Sequence, residues 1–583
     1  MKRYFKFLKF CYEINRKVVL IHIFLGILSV FTPYLYIKVF SNILNSLSNG
    51  LNYETFNSTF FIMLFILAFL NVYMWLFATL EQNIESIFNL SIDLKLIPSQ
   101  LDKISKLKSR FFYDIQLCDL ISRVCSEDKN FISLTFVSIV GVIVLLLQSI
   151  VYFYFISKIS VLIAIVMVLV IVPLFFLAYK FGNENYRFTK KFTYIFRKCK
   201  HFYSLFVEKE FAKEREIFNF GKNYKELWSE SDSIVRKSYL GLNFRWYGMI
   251  KLSNIFTEIV TFLIIFIVIF SFNGKYLSIG FVIAFISSIS RFVNSISWNV
   301  PYYIKDISEG MNYFDELNDF LCLDEETKGD IKLKSVEKID FKSVKFRYSD
   351  ERDFILKGVS FTFEKNKHYG LVGINGVGKS TIVNLLSGVY DNFEGEILID
   401  DKNISDIDIR SLRENILVLK QDFKKFDLSF RDNIILGLDY NEEKFNNIIK
   451  KLNLETLIKK LKNGINTNLG QFDVGSSDLS GGEWQRIAFA RLLYRESAFY
   501  IFDEPISSYD SITEREFIDD INKYFKDKLC LIISHRFSLI KDCDEIYVLN
   551  EGKIVQKGNH HKLKNETGIY KEMFDIQKGL FYE

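Results

Sequence analysis

The sequence predicts an α-helical membrane domain followed by an α/β domain. Two observations carry this prediction. Long apolar runs recur through the amino-terminal half and then stop, and each is long enough to cross a bilayer as a helix. From Val336 onward, short apolar strands alternate with helical patterns, which is typical of a parallel α/β sheet. At 583 residues, the chain is also too long for one hydrophobic core.

The composition agrees with a membrane part joined to a soluble part. Hydrophobic residues make up 49% of the chain, while charged residues still make up 25%. A net charge of +5 is small for this length, so the composition does not indicate a nucleic-acid partner. The seven cysteines form no C-x-x-C pair, which favours free thiols in a reducing compartment.

Six apolar runs are predicted to span the membrane. A basic stretch precedes the first run, but that run is too long for the apolar core of a signal peptide. We place the spans at about 18–40, 59–80, 132–156, 159–179, 252–272 and 277–298.

The distribution of lysine and arginine orients these spans. The connection 41–58 contains neither residue, and the two other short connections contain one lysine each. The stretch between spans two and three carries seven basic residues, and the stretch between spans four and five carries sixteen. Basic residues accumulate on the cytoplasmic side, so we expect both termini and the two long connections to be cytoplasmic.

Residues 373–380, with the sequence Gly-Ile-Asn-Gly-Val-Gly-Lys-Ser, fit the phosphate-binding pattern G-x-x-x-x-G-K-[ST]. The glycines allow the backbone to curl so that successive N–H groups face a phosphate. Lys379 supplies a positive charge for the β- and γ-phosphates, and the Ser380 hydroxyl can ligate Mg²⁺. The pattern predicts a nucleoside triphosphate site, with a strand before the loop and a helix after it.

Besides the Ser380 hydroxyl, an acidic group is needed to hold Mg²⁺, and residues 499–504 supply one. This apolar strand ends in Asp503, with Glu504 beside it. Ligands collect at the carboxyl ends of parallel strands. We therefore expect Asp503 to hold Mg²⁺ through water and Glu504 to polarise an attacking water.

Residues 479–486, Leu-Ser-Gly-Gly-Glu-Trp-Gln-Arg, resemble the signature motif of ATP-binding cassette (ABC) proteins. The other motifs of that family follow in order: Tyr348 resembles the aromatic residue that stacks on adenine, Gln421 the loop glutamine that contacts Mg²⁺, residues 507–510 the D-loop, and His535 the switch histidine. Six spans followed by a cassette is the layout of an ABC exporter half-transporter, so the resemblance covers the whole chain. It implies a six-span (type IV) transmembrane domain over 1–322, a linker over 323–335 and an α/β P-loop nucleotide-binding domain over 336–583.

The resemblance also implies a set of site residues and a partner. ATP is expected to contact Tyr348, Gly373, Asn375, Gly376, Gly378, Lys379, Ser380, Thr381, Gln421, Ser480, Gly481, Gly482 and Asp510, with Mg²⁺ on Ser380, Gln421 and Asp503, and with Glu504 and His535 as the catalytic residues. In this family the signature of one subunit closes on ATP held by the other. A homodimer with two competent sites is the simpler expectation, and a heterodimer is the alternative.

We therefore expect an ATP-driven exporter that alternates between inward-open and outward-open states in the cytoplasmic membrane. Departures from the usual motifs, such as Glu483-Trp484 in the signature and Tyr509 in the D-loop, look most like exporters of bacterial modified-peptide or bacteriocin pathways. A modified peptide is thus the leading substrate, and a multidrug or lipid exporter is the alternative. An ATP-gated channel or regulator is another class, whereas six spans argue against a soluble cassette protein that acts on nucleic acid.

Two charges lie within the predicted spans. Glu258 on span five and Arg291 on span six are expected at similar depth, in the inner half of the membrane. One hypothesis is that they pair or line the substrate cavity. The alternative is that each reaches the cytosolic interface on its own.

Overall fold

A computed structural model gives the fold. It describes residues 2–48, 58–125, 130–159, 184, 187–188, 192, 194–270, 278–326, 329–348, 353–470, 475–505 and 511–582. The chain divides into two compact units. The helical unit comprises residues 1–105 and 115–323, and the α/β unit comprises residues 106–114 and 324–583. The predicted linker 323–335 thus belongs almost entirely to the α/β unit.

The helical unit begins with a short basic helix, α1 (Lys2–Ile14), which was not expected as a separate element. The Phe7 ring packs edge-on against Phe314 with 5.3 Å between centroids, and Arg3 donates to Asp315 at 3.0 Å. The predicted first span is divided into α2 (Arg16–Val30) and α3 (Thr32–Ser48). Pro33 lacks the N–H that would bond the carbonyl of Ser29, and its ring crowds that carbonyl, so Pro33 explains the break at Phe31.

The remaining described helices of this unit extend well beyond the apolar runs. They are α4 (Ser58–Lys106), α5 (Ile115–Val124), α6 (Asn130–Ile159), α7 (Lys209–Phe218), α8 (Gly221–Phe270) and α9 (Ile279–Leu321). Helix α4 has 49 residues, or about 73 Å, whereas a bilayer core is about 30 Å thick. Such helices can cross a membrane and still continue into the aqueous phase.

Within the described residues, four helical stretches are long and apolar enough to cross a membrane: Arg16–Ser48, Ser58–Lys106, Asn130–Phe155 and Ile279–Leu321. The predicted fifth span falls in α8 up to Phe270. The predicted fourth span, 159–179, lies outside the described residues apart from its first position.

Close helix packing in this unit depends on small residues. Helix α9 packs along both α3 and α6. A Cβ atom built at Gly310 on α9 would lie only 1.5 Å from the Thr135 hydroxyl oxygen on α6. Glycine is therefore required at this crossing, as is common where membrane helices approach closely.

The α/β unit contains two sheets. Strands β1 (Lys338–Phe346), β2 (Leu356–Glu364), β4 (Glu394–Ile399) and β5 (Lys402–Asn403) form an antiparallel sheet in the order β2-β1-β4-β5. Strands β3 (His368–Val372), β6 (Ile416–Leu419), β7 (Phe499–Asp503), β8 (Leu529–Ile533), β9 (Glu545–Asn550) and β10 (Lys553–Gly558) form the second sheet in the order β10-β9-β3-β8-β7-β6. All pairs of the second sheet are parallel except β10 with β9.

The helices of the α/β unit are α10 (Lys379–Leu386), α11 (Ile409–Asn415), α12 (Phe430–Ile435), α13 (Glu442–Lys451), α14 (Glu455–Lys460), α15 (Gly481–Arg495), α16 (Ser511–Tyr524), α17 (Phe537–Ile540), α18 (His560–Asn565) and α19 (Ile569–Tyr582). Strand β3 lies between β9 and β8, and all five of its residues are buried. The P-loop thus leaves the sheet from an interior strand, where burial on both faces limits its movement.

Candidate active site

The P-loop connects β3 to α10 as a strand, a turn and a helix. Gly376 and Gly378 have φ angles of +86° and +108°, a region that L side chains avoid. At Gly373 the constraint is different, because a Cβ atom would lie 2.3 Å from the Leu549 carbonyl oxygen on β9. Both the conformation and the close packing of this loop therefore require glycine.

Lys379, the first residue of α10, is buried within the loop. Its Nζ donates to the carbonyl oxygens of Gly373 at 2.7 Å and Ile374 at 3.2 Å. Burial lowers the pKa of Lys379, and the negative charges of Glu504 and Asp503 oppose that effect. The ammonium group is thus held at the mouth of the loop, at the N-terminus of α10, where negative charge is favoured.

Asp503 ends β7 at the carboxyl edge of the sheet, the same edge from which the P-loop leaves β3. Burial raises the pKa of Asp503, and the neighbouring Glu504 raises it further. The charges of Lys379 and Lys420 and a hydrogen bond with the Ser380 side chain act in the opposite direction. Ser380 and Asp503 therefore meet, and hydroxyl and carboxylate oxygens are the ligands that Mg²⁺ prefers. The donor set fits a magnesium ion bound beside the phosphates.

Glu504 and His535 come from the ends of adjacent strands, β7 and β8. Glu504 has a φ angle of +48°, and its N–H donates to the Ile533 carbonyl at 2.8 Å. Its Oε1 lies 3.5 Å from Nδ1 of His535, with the carboxylate largely buried and the imidazole half exposed. A left-handed conformation in a non-glycine residue is a strain that often accompanies a functional site. The two predicted catalytic side chains are thus neighbours.

Tyr348 lies against the first turn of the P-loop helix. Its hydroxyl is 3.0 Å from Oγ1 of Thr381. Its ring makes edge-on contacts with Phe346 and Tyr390, at centroid distances of 5.1 and 5.3 Å. About a third of Tyr348 is exposed, so part of the ring is available to a flat ligand such as adenine.

The signature residues form the start of α15. Ser480 is the N-cap, and a reciprocal capping box joins it to Glu483: the Ser480 N–H donates to Oε2 of Glu483 at 2.9 Å, and the Glu483 N–H donates to Oγ of Ser480 at 3.3 Å. The unusual Glu483 is therefore a capping residue. Ser480 and Gly481 are exposed, which leaves this helix N-terminus open to an anion.

The comparisons with known proteins agree with this geometry. Residues 356–507 match the family described as ABC transporter. The subtilin transport ATP-binding protein SpaT of Bacillus subtilis is 30% identical over 573 residues, which cover 94% of this chain and 91% of that protein. The chain is an ABC transporter.

Two further comparisons differ in how much of the chain they cover. An ATP-dependent lipid A-core flippase of Haemophilus influenzae is 36% identical over 241 residues, or 41% of this chain and 40% of that protein. A solved structure of a bacterial Atm1-family ABC exporter with ATP bound superposes with a TM-score of 0.80 at 20% identity, covering 96% of this chain and 98% of that chain. The predicted fold, a helical membrane region followed by an α/β cassette, is confirmed. This ABC transporter binds ATP, and its ATPase activity drives export across a membrane.

Other predicted site residues of the ABC transporter are less enclosed. Asn375 lies on the exposed tip of the P-loop, and Gln421 is exposed in the turn after β6. Asp510 lies outside the described residues. Among the residues that the structure describes, no hydrogen bond joins the signature residues 479–482 to the P-loop. The signature and the P-loop therefore remain two separate anion sites in this copy.

In the helical unit, Arg291 contacts an aromatic ring rather than Glu258. Its guanidinium carbon lies 3.8 Å from the centroid of Tyr36, and its Nε is 3.4 Å from the Ser287 carbonyl. Glu258 is exposed, and no ion pair joins it to Arg291 in the described part of the chain. A role of either residue in a substrate cavity stays a prediction.

No sequence motif marks Arg491 on α15 as a functional residue. Its Nε donates to the Asn433 carbonyl at 2.7 Å, its Nη2 donates to Oδ1 of Asn433 at 2.9 Å, and its Nη1 donates to the Lys424 carbonyl at 2.9 Å. Burial lowers the pKa of Arg491 to about 10. This side chain ties the segment after Gln421 to the signature helix, over sequence distances that a motif search does not cover.

Proposed function

We propose that this ABC transporter exports a peptide, and that two copies of the chain form two composite ATP sites. The observation that carries the peptide proposal is the similarity to the subtilin transport protein over nearly the full length of both chains. Full-length similarity includes the helical unit, which must hold the cargo. The flippase similarity covers only 41% of this chain and is therefore less informative about cargo.

Within one site, this chain's residues have distinct proposed roles. Tyr348 stacks on adenine, the P-loop N–H groups and Lys379 hold the phosphates, and Glu504 accepts a proton from the attacking water. Ser380 and Asp503 would hold Mg²⁺, with Gln421 nearby; the ion neutralises charge on the phosphates when bound. His535 positions Glu504 and the terminal phosphate. The 3.5 Å distance from Nδ1 of His535 to Oε1 of Glu504 supports this role.

Two exposed surfaces of a single copy support the proposal that a second copy binds. The exposed N-terminus of α15 is an anion site without a phosphate source in its own chain. At the end of α7, Ile217 and Phe218 are each about three-quarters exposed, which is costly for apolar side chains in water. A homodimer would supply partners for both, with the cassettes on the cytoplasmic side of the cytoplasmic membrane.

The catalytic assignment is tested with Glu504→Gln in the full-length protein. Glutamine keeps the shape but cannot accept a proton, so we expect ATP binding to persist and turnover to fall by about 100-fold or more. Glu337→Gln, in an exposed ion pair with Lys365, is the matched control and should behave as wild type. Near-normal hydrolysis by Glu504→Gln would remove Glu504 from the mechanism.

The composite site is tested by mixing two inactive variants, Lys379→Ala and Ser480→Arg. In a mixed dimer, one site combines the intact P-loop of one copy with the intact signature of the other. If the sites act independently, a one-to-one mixture should regain about a quarter of wild-type hydrolysis. A mixture that stays inactive would contradict the composite site.

The cargo is tested in inside-out proteoliposomes with three probes: subtilin, a fluorescent phospholipid and a hydrophobic cationic dye. Peptide export predicts ATP-dependent uptake of subtilin that Glu504→Gln abolishes. Transport of the lipid or the dye alone would favour the flippase or multidrug alternative. Stimulated ion leakage without uphill uptake would indicate a channel or regulator.

A further inference from the structure

The chain enters the α/β unit at two places, and these two connections are hydrogen-bonded to each other. One is the segment after α4, residues 106–114, and the other begins at Asp324 after α9. The Glu326 N–H donates to the Lys106 carbonyl at 2.8 Å, and Leu107 and Glu325 form an antiparallel bridge. Both connections are therefore anchored within the α/β unit.

Arg413 on α11 binds both connections with one guanidinium group. Its Nη1 donates to Oε2 of Glu326 at 2.9 Å and its Nη2 donates to Oε1 at 2.7 Å, which is a bidentate pair. The same Nη2 lies 3.4 Å from the Ser109 hydroxyl, which itself donates to Glu326 at 3.3 Å. The Glu326 side chain is only 15% exposed. The Arg413 side chain is 38% exposed. A two-pronged pair with one largely buried partner is better oriented than an ordinary surface ion pair.

Arg413 also contacts the far end of the P-loop helix. Its Nε and Nη2 approach the carbonyl oxygens of Ser387 and Gly388 at 3.4 and 3.3 Å, just after α10 ends. A cation at a helix C-terminus interacts favourably with the helix dipole. At the other end of this two-turn helix, Lys379 and Ser380 face the nucleotide site. One rigid element thus reaches from the phosphates to Arg413.

Tyr390 and Asp391, which follow the end of α10, contact the segment 106–114 after α4. Asp391 accepts from Nζ of Lys108 at 2.9 Å and from Nη1 of Arg110 at 2.8 Å. Tyr113, at the end of the 3₁₀ turn Ser109–Tyr113, lies 5.9 Å from Tyr390 between ring centroids. Tyr390 in turn contacts Tyr348 of the nucleotide site. A second path therefore runs from the base-stacking residue to the segment after α4.

We propose that Arg413 is a positioning residue that fastens the end of the P-loop helix to both chain connections, so that nucleotide binding is transmitted to α4 and α9 of the same chain. The inference rests on the proposed ATP-driven transport cycle. The proposed transmission runs through the end of the P-loop helix and Arg413 on α11. It acts in addition to any contact made by Gln421 or by a second copy. Arg413 does not touch the substrate, so its loss should uncouple the units without abolishing hydrolysis.

The test compares Glu326→Gln, Arg413→Gln and the double variant in nanodiscs of phosphatidylethanolamine and phosphatidylglycerol. Trypsin cleavage within residues 194–251 of the helical unit is followed with and without Mg-ATP and vanadate. We expect the nucleotide-induced change in cleavage to fall about fivefold or more in each single variant, while the KM for ATP changes less than about twofold. The double variant should match the single variants, because the two residues act as a unit.

Two further variants separate positioning from general stability. Arg413→Lys keeps the positive charge at the end of α10 but loses the bidentate contact with Glu326. It should therefore retain more of the nucleotide-induced response than Arg413→Gln. Glu337→Gln breaks an exposed ion pair of the same unit and should leave the response unchanged.

The outcomes are distinguishable. A wild-type protein without any nucleotide-induced change would contradict the transport cycle itself. A wild-type response in Arg413→Gln, or additive losses in the double variant, would overturn the proposed role of the pair. Loss of ATP binding or of the folded state in both Arg413 variants would show that Arg413 is structural and would also overturn it.

Discussion

Gly373 and Gly376 lie three residues apart in the P-loop, yet the structure predicts different consequences when each is replaced by alanine. At Gly373, the new Cβ would lie 2.3 Å from the Leu549 carbonyl oxygen, more than about 1 Å closer than an ordinary contact. Leu549 belongs to β9, which pairs with β3 on one side and β10 on the other. Its carbonyl cannot move without disturbing the sheet.

The magnitudes follow from these surroundings. Overpacking against fixed backbone costs about 3 kcal/mol, so the α/β unit of Gly373→Ala should unfold about 6–12 °C lower than wild type. At Gly376, a Cβ meets nothing within 4 Å, but its φ of +86° strains alanine. That strain costs about 1 kcal/mol and should lower the unfolding temperature by only about 2–4 °C. Because relief of the strain turns N–H groups away from the phosphate, ATP affinity of Gly376→Ala should fall about tenfold.

The assay is thermal unfolding of the full-length protein with a thiol-reactive dye, since Cys530 and Cys543 are buried in the α/β unit. ATP binding is measured on the same samples below the transition. If Gly373→Ala unfolds at the wild-type temperature, the clash with Leu549 is not real. If Gly376→Ala is the less stable of the two, the distinction between packing and conformation is wrong.

Two more predictions concern the nucleotide site. Because burial and Glu504 raise the pKa of Asp503, its carboxylate is protonated at a higher pH than an ordinary aspartate. The apparent Mg²⁺ affinity should therefore fall about tenfold for each pH unit below that raised pKa. The measurement is a Mg²⁺ titration of ATP hydrolysis at several pH values. An apparent affinity that stays constant down to about pH 4 would contradict the raised pKa of Asp503. Tyr348→Phe loses the contact with Thr381 but keeps the ring, so ATP affinity should change by no more than about tenfold. Tyr348→Ala loses the stacking surface as well and should bind more weakly than Tyr348→Phe; equal affinities in equilibrium binding would exclude stacking.

Those parts of the site that are local in the chain could be predicted from residue types alone. The P-loop, the strand that ends in Asp503 and the signature helix each lie within a few consecutive residues, so residue type and spacing are sufficient to predict them. The α/β alternation and the apolar runs likewise predicted the two-part fold. The break before Pro33 was missed, because hydropathy alone does not register the local effect of proline on a helix.

Which distant residues meet depends on how the separate elements pack, and the sequence does not reveal this. Glu504 and His535 become neighbours because β7 and β8 are adjacent in the sheet. Arg413 binds Glu326 and Ser109, which lie 87 and 304 residues away in the chain. Such contacts have no periodicity or motif, since they arise from the packing of separate elements rather than from local backbone preference. The sequence therefore identified the ATP-driven machinery, and the structure showed how the end of its P-loop helix is fastened to both connections from the helical unit.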